Sequence, residues 1–312
     1  MNRYRLLLIC TFSVLLVLAS GCTGLRLGYQ QADILLAWRA NSYFDFDGDQ
    51  RREFSTRLDR LLAWHRQEQL PEYASFLTTA LEKAEPGVKA EDIDWLVDGF
   101  RSRYRVIVNR GAPDAAEALS TLSSEQIAHL QKQFAKDNRK FADDHEVKAG
   151  TEKRKRVRLK KTINAIEEWT GSLGREQEEK IAALLDPIPL IEHLRLQDRM
   201  RRQREFVEIL KLRQAKTEFA VRLQQWLLDW DMGRAHEYEK TAAEVYKQRL
   251  QFYVAVDRLL TREQRQHALA RLQKYIDDCK SLSARRAGNA GIEERMGTII
   301  LALFFAADHA SL

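Results

Sequence analysis

The 312-residue chain sets 51 Lys and Arg against 45 Asp and Glu, a formal charge of +6, and is 45% hydrophobic with only 14 Gly and 5 Pro. That length and apolar fraction exclude a chain too small to bury its own core, and the scarcity of helix breakers favours long helices with short connections. A pI near 9.1 invites a nucleic-acid reading, which the N-terminal segment sets aside.

That segment has a basic head, Arg3 and Arg5, then an apolar run over residues 6–18 and the small residues Ala19-Ser20-Gly21 before Cys22. This is the three-part form of a secretory signal. The run is short of the ~20 residues a spanning helix needs. The cysteine after small residues resembles the lipobox of bacterial lipoproteins, although Ala19 stands where Leu is commoner. The resemblance implies cleavage before Cys22 and lipidation of that residue. Thr23, in place of Asp, implies the outer membrane, facing the periplasm. Cleavage would remove Arg3 and Arg5 and no acid, lowering the formal charge from +6 to +4. An exported chain of mild positive charge is expected to meet anionic lipid, peptidoglycan or acidic envelope proteins, and no nucleic acid. Of the three cysteines, Cys10 leaves with the signal and Cys22 carries lipid. Cys279 then has no partner for an intramolecular disulfide and is expected to be a buried small residue.

Residues 23–30 read as a tether. A first helix is expected over 29–41, with Ile34, Leu35 and Trp38 on one face. Asp47 then caps a helix and Gln50 is the reciprocal partner. This helix buries Phe54, Leu58, Leu61 and Leu62 and is interrupted at Leu70-Pro71. A short helix runs to residue 84, and another runs from about Ala90 to Arg110-Gly111. Leu122-Ser123-Ser124-Glu125-Gln126-Ile127 is the clearest helix start, with Ser123 the cap and Gln126 reaching back. The basic stretch at residues 153–161 leads into Ile163, Ile166 and Trp169, so it forms the polar part of an amphipathic helix ending at Gly171.

After Asp186-Pro187-Ile188-Pro189, no proline or glycine occurs until Gly233. A single spine helix is expected over 189–231, roughly 60 Å long, with Trp226 and Trp230 on one apolar face. Helices through Val245 to Leu259 and from Leu260-Thr261 onward follow. A polar linker over 281–291 and an apolar C-terminal helix over 297–307 complete the reading.

One pattern recurs at Phe46–Gln50, Leu122–Gln126, Leu173–Gln177 and Leu260–Gln264: an apolar residue, a capping-type residue, two more, then Gln. The intervals of 76, 51 and 87 residues exclude a fixed-period solenoid. Helix initiation explains the pattern, and its Leu-Thr-x-x-Gln version resembles a motif of small periplasmic chaperones of the Spy and CpxP type. The Phe46–Gln50 start, together with Leu58, Leu61, Trp64-His65-Arg66 and Leu70-Pro71-Glu72-Tyr73-Ala74, resembles a proteobacterial family of helical lipoproteins. The likeness extends through Asp186-Pro187 and the arginine-rich helix after it. That family carries no assigned activity, so it implies fold and location and transfers no catalytic residue.

No chemistry-bearing motif stands out. Asp45-x-Asp47-x-Asp49 opens like a calcium loop but has Gln50 at the sixth position and Thr56 at the twelfth, where Gly and Glu are needed. Asp143-Asp144-His145-Glu146 points its side chains in different directions on a helix. No histidine pair has metal-ligand spacing, and no nucleophile elbow, phosphate loop or dinucleotide fingerprint occurs.

The chain is therefore expected to be all-α, an elongated irregular helical bundle with one long central helix. Its expected division is a signal peptide (1–21), a lipidated tether (22–30) and a single all-α domain (31–312). The functional expectation is a non-enzymatic lipoprotein of the outer membrane, on the periplasmic side, that binds or scaffolds another envelope component. The alternatives are a chaperone-like holder of unfolded envelope proteins and an enzyme of peptidoglycan or lipid metabolism. No cofactor, metal or catalytic residue is assigned. Cys22 is the lipidation site, and Arg201, Arg202 and Arg204 are the candidate surface for an acidic protein or anionic lipid.

Overall fold

The computed structural model describes residues 28–284. The signal segment, Cys22, most of the tether and the apolar stretch at 297–307 lie outside the described residues. Among the described residues eleven α-helices follow one another: α1 Ala32–Phe44, α2 Gly48–Trp64, α3 Leu70–Ala84, α4 Ala90–Ser120, α5 Ser124–Asp144, α6 Thr151–Thr170, α7 Arg175–Leu185, α8 Glu192–Lys211, α9 Lys216–Leu228, α10 His236–Leu259 and α11 Arg262–Ala284. The described residues contain no strand. The all-α bundle is as the sequence indicates. No helix among the described residues is long and apolar enough to cross a membrane.

The helices enclose two main cores. The first gathers Tyr43, Phe46, Leu119, Leu122, Leu130, Phe206, Leu210, Phe219 and Leu223. The second gathers Ile166, Ile181, Leu185, Ile188, Ile191, Leu194, Tyr238, Val245 and Phe252. A smaller cluster joins the ends of the described chain, where α11 packs along α3 through Leu70, Ala74, Ile276, Cys279 and Leu282.

Four helix starts are built as their sequence pattern requires, and they meet in pairs. The Asp47 side chain accepts from the amides of Asp49 and Gln50, and Gln50 accepts from Asp47 N. Ser123 and Gln126 form the same box on α5. The two glutamines then bond each other at 2.6 and 3.3 Å. Gln50 also donates to Thr121 O and Gln126 to Asp45 O. The second core repeats this bond for bond: Gln177 and Gln264 pair at 2.8 and 3.0 Å, Gln177 donates to Leu259 O and Gln264 to Ser172 O. In each clasp the accepted carbonyl lies two residues before the partner helix's cap. The intervals of 76 and 87 residues are thus the chain lengths that bring two helix starts back together.

Several expectations are corrected. The spine over 189–231 is two helices, α8 and α9, turned at Leu212–Ala215. The turn places Phe206, Leu210, Phe219 and Leu223 in one core with Leu130, which a straight helix of that length could not do. No side chain caps the start of α9. Tertiary bonds hold the turn instead, with the Arg213 guanidinium donating to Leu122 O at 2.7 Å and Leu210 O at 3.3 Å. Because α9 ends at Leu228, Trp226 and Trp230 do not share a helical face. The longest helix among the described residues is α4, which runs straight through Gly111 and Pro113. Pro113 removes one backbone bond, but continuation buries Ala112, Ala116 and Leu119.

The interruption at Leu70-Pro71 is a π-helical turn over His65–Gln69 with no break in the chain. It sets His65 between Tyr29 and Tyr73. Finally, Ile34 and Trp38 are 65% and 64% exposed, because the inward stripe of α1 is Leu36, Ala40 and Tyr43.

Candidate functional site

The first core is not filled. Between α1, α2, α4, α5, α8 and α9 lies a partly enclosed cavity of about 290 Å³, at the lower end of the size of small-molecule sites. Its wall is almost wholly apolar, with Phe44, Phe46, Phe54, Leu119, Leu130 and Phe134 among the lining side chains. The polar lining residues are few: Arg39, Arg199, Arg202, Gln203, Tyr43 and Tyr104. Among the described residues no Ser, Thr, Cys, His, Asp, Glu or Lys lines it.

Helix periodicity places these polar groups. Arg39 and Tyr43 are four apart on α1, and Arg39 donates to the Tyr43 hydroxyl at 2.7 Å. Tyr43 in turn donates to the Asp137 carboxylate on α5. Arg199 and Gln203, four apart on α8, both bond Asn138. Arg199 Nε donates to its Oδ1 at 2.9 Å, and Gln203 exchanges two amide bonds with it at 2.7 and 3.1 Å. Tyr104 donates to Leu227 O at 2.8 Å. Burial, and for Tyr43 the neighbouring Asp137 carboxylate, push the two phenols up, so both stay protonated and neutral.

Arg202 stands apart. Its guanidinium lies 4.4 Å from the centre of the Trp226 ring, and Nη2 donates to Trp226 O at 3.3 Å. No carboxylate comes within ion-pair reach of it among the described residues. The nearest acids on its helix, Asp198 and Glu205, are held by Arg201, and Asp198 also by Arg234. Burial shifts the Arg202 guanidinium down from its ordinary value. Trp226 stacks on Phe206 at 4.8 Å, and its indole N–H is buried with no hydrogen-bond partner.

The three arginines singled out from the sequence therefore have three different settings. Arg201 is committed to Asp198 and Glu205. Arg202 lines the cavity. Arg204 is exposed. In the other basic stretch, over 153–161, three residues serve internal contacts, Lys155 to Asp186, Arg154 to Glu192, and Arg158 to the carbonyls of Leu185, Ile188 and Pro189, while Arg156 and Lys160 are exposed. Cys22 lies outside the described residues.

Asp47 serves as a cap, and no group of three or more His, Cys, Asp or Glu suited to a metal ion comes together among the described residues. Cys279 is a free buried thiol, pushed up to about 11 by burial. Arg39, Gln203 and Tyr104 were not legible as site residues, because each holds an ordinary amphipathic position on its helix, and Arg199 was legible only as part of the arginine-rich helix.

Fold and cavity together define a helical protein built around an internal, largely apolar compartment. Residues 42–239, well over half the chain, match a family of unknown function, DUF6279, and the chain belongs to that family. No curated protein and no solved structure matches it.

Proposed function

We propose that this chain is a non-enzymatic binding protein of the cell envelope, held by lipid at Cys22 on the periplasmic side of the outer membrane, and that the cavity in its first core is the binding site. The observation that carries binding is the cavity itself, an apolar space of about 290 Å³ edged by a few polar groups. Its lining supports binding over chemistry. Catalysis by acid, base or nucleophile needs a group able to take or give a proton near neutral pH. Among the described residues the lining offers as polar groups arginines, an amide, an indole and two phenols whose protons are held more tightly than usual. The chaperone-like alternative draws no support from the glutamine pattern, since all four glutamines are consumed in the two clasps. Anchoring rests on the signal form ending at Cys22.

Two measurements test this reading. Cys22→Ser should leave an uncleaved precursor or release the protein from membranes, and normal maturation with membrane retention would remove the anchor. Native mass spectrometry of protein extracted from its own membranes should show one small molecule per chain. Loss of that molecule is expected on filling the cavity with Ala118→Phe. A chain that carries nothing, and binds nothing from a lipid extract, would refute the binding reading.

A further inference from the structure

We propose that the cavity takes a single-chain amphiphile with an anionic head, the tail lying among Phe44, Phe54, Leu119 and Phe134 and the head meeting Arg202. The inference rests on the cavity being a binding site and names the class of molecule that fits it. Three observations converge. The space is apolar along most of its wall, which suits an alkyl tail and leaves no partner for a polar body. At roughly 30 Å³ per water-sized group, 290 Å³ holds a chain of about ten such groups.

The second observation is the charge. Several part-buried arginines elsewhere in this chain are matched by carboxylates, Arg57 by Glu53 and Asp114, Arg201 by Asp198 and Glu205, and Arg265 by Asp257, while Arg158 is held by three carbonyls and Arg103 by Gly99 O. Arg202 has no such match, and of its five N–H donors only one is used, on Trp226 O. A half-buried cation without a counter-charge beside an apolar space is best satisfied by an anion that arrives with the ligand. The third observation is the buried, unpartnered indole N–H of Trp226, a second donor on the ring against which Arg202 rests. Asp137, beside another part of the lining, is already engaged by the Tyr43 hydroxyl and faced by Arg39.

The head could be a carboxylate, from a free fatty acid, or a phosphate, from a lysophospholipid; both are oxyanions that a guanidinium fork binds in the same way. Competition against a fluorescent ten-carbon probe on the purified full chain separates them. Decanoate and a ten-carbon lysophosphatidate should each displace the probe at least about tenfold more tightly than neutral monodecanoylglycerol, and the tighter of the two anions identifies the head. Arg202→Gln should erase that preference and leave the neutral ligand unchanged. Arg202→Lys should keep part of it, and Arg204→Gln, on an exposed neighbour, should keep all of it. Equal binding of the neutral and anionic chains, unaffected by Arg202→Gln, would overturn the anionic head while leaving the cavity as a binding site. Failure of all three to displace the probe or to bind directly would overturn both.

Discussion

Replacing Gln126 by Ala tests whether the glutamine clasps hold the bundle together. The side chain accepts from Ser123 N at 2.8 Å and donates to Asp45 O at 2.8 Å and to Gln50 Oε1 at 2.6 Å, with a longer bond from Gln50 at 3.3 Å. A net hydrogen bond contributes about 0.5–1.5 kcal/mol, and the solvent-facing members of this set fall in the lower half of that range. Three such bonds give about 2 kcal/mol. Ser123→Ala removes a single 3.2 Å cap bond and should cost about 1 kcal/mol. Gln126→Ala should therefore be the more damaging change, although the residue lies on the rim and Ser123 is the formal cap. Urea denaturation of the two single variants, Gln50→Ala and the Gln50/Gln126 double variant should give a coupling of about 1 kcal/mol. The parallel cycle between Gln126 and Gln264, in separate cores, should add within about 0.5 kcal/mol. A Gln126→Ala cost below that of Ser123→Ala, or no coupling to Gln50, would refute the clasp.

Three further changes probe other parts of the fold. Gly99→Ala should destabilise by about 1–3 kcal/mol despite the better helix propensity of Ala, because the new Cβ would fall 2.3 Å from the Phe76 ring; a more stable variant by thermal melt would show that Phe76 gives way freely. Trp226→Ala should cost about 3 kcal/mol in the same urea assay, at the low end for a buried aromatic because the ring is only half-buried, and a cost under about 1 kcal/mol would show that the ring is not packed on Phe206. His65 is neutral in the folded chain, with Tyr29 and Tyr73 on its two ring nitrogens and its pKa pushed down to about 4 by burial. Between pH 4 and the ordinary value near 6.5 the unfolded chain binds the extra proton, so stability must fall as pH drops through that window. The difference in stability between parent and His65→Phe should shrink by up to about 3 kcal/mol from pH 7 to pH 4, and a constant difference would mean that His65 does not stay neutral.

The parts of the fold carried by local chemistry were legible from the sequence. Asp47, Ser123, Thr261 and the four glutamines mark helix starts because each satisfies amides within its own first turn. The pairing of those starts was hidden, since the bonds from Gln126 to Gln50 span 76 residues and nothing at either end names the partner. The turn at Leu212–Ala215 was hidden for the same reason: its stabilising group, Arg213, reaches a carbonyl 91 residues away. Pro113 misled in the opposite sense, its local cost being outweighed by burial of Ala116 and Leu119. On α1 the apolar residues surround the helix, so Ile34 and Trp38 competed with Leu36 and Ala40 for the inward face. Packing against α2 and α5 decided between them. The cavity was the least legible feature, because its lining runs from Leu36 to Leu227 across six helices, and a void has no sequence signature. Among the lining residues Arg202 was named in advance as a candidate surface residue, for its charge alone.

The central claim, that the first core holds a ligand, is tested most directly by tryptophan quenching with a bromine-labelled ten-carbon acid. Trp226 lines the cavity, whereas Trp38 is 64% exposed on the outside of α1. The quenching in the parent chain should saturate at one ligand per chain, and the Trp226 contribution should vanish in Trp226→Phe while Trp38→Phe changes nothing. Quenching that survives Trp226→Phe and disappears with Trp38→Phe would place the ligand on the outer surface and contradict an occupied cavity.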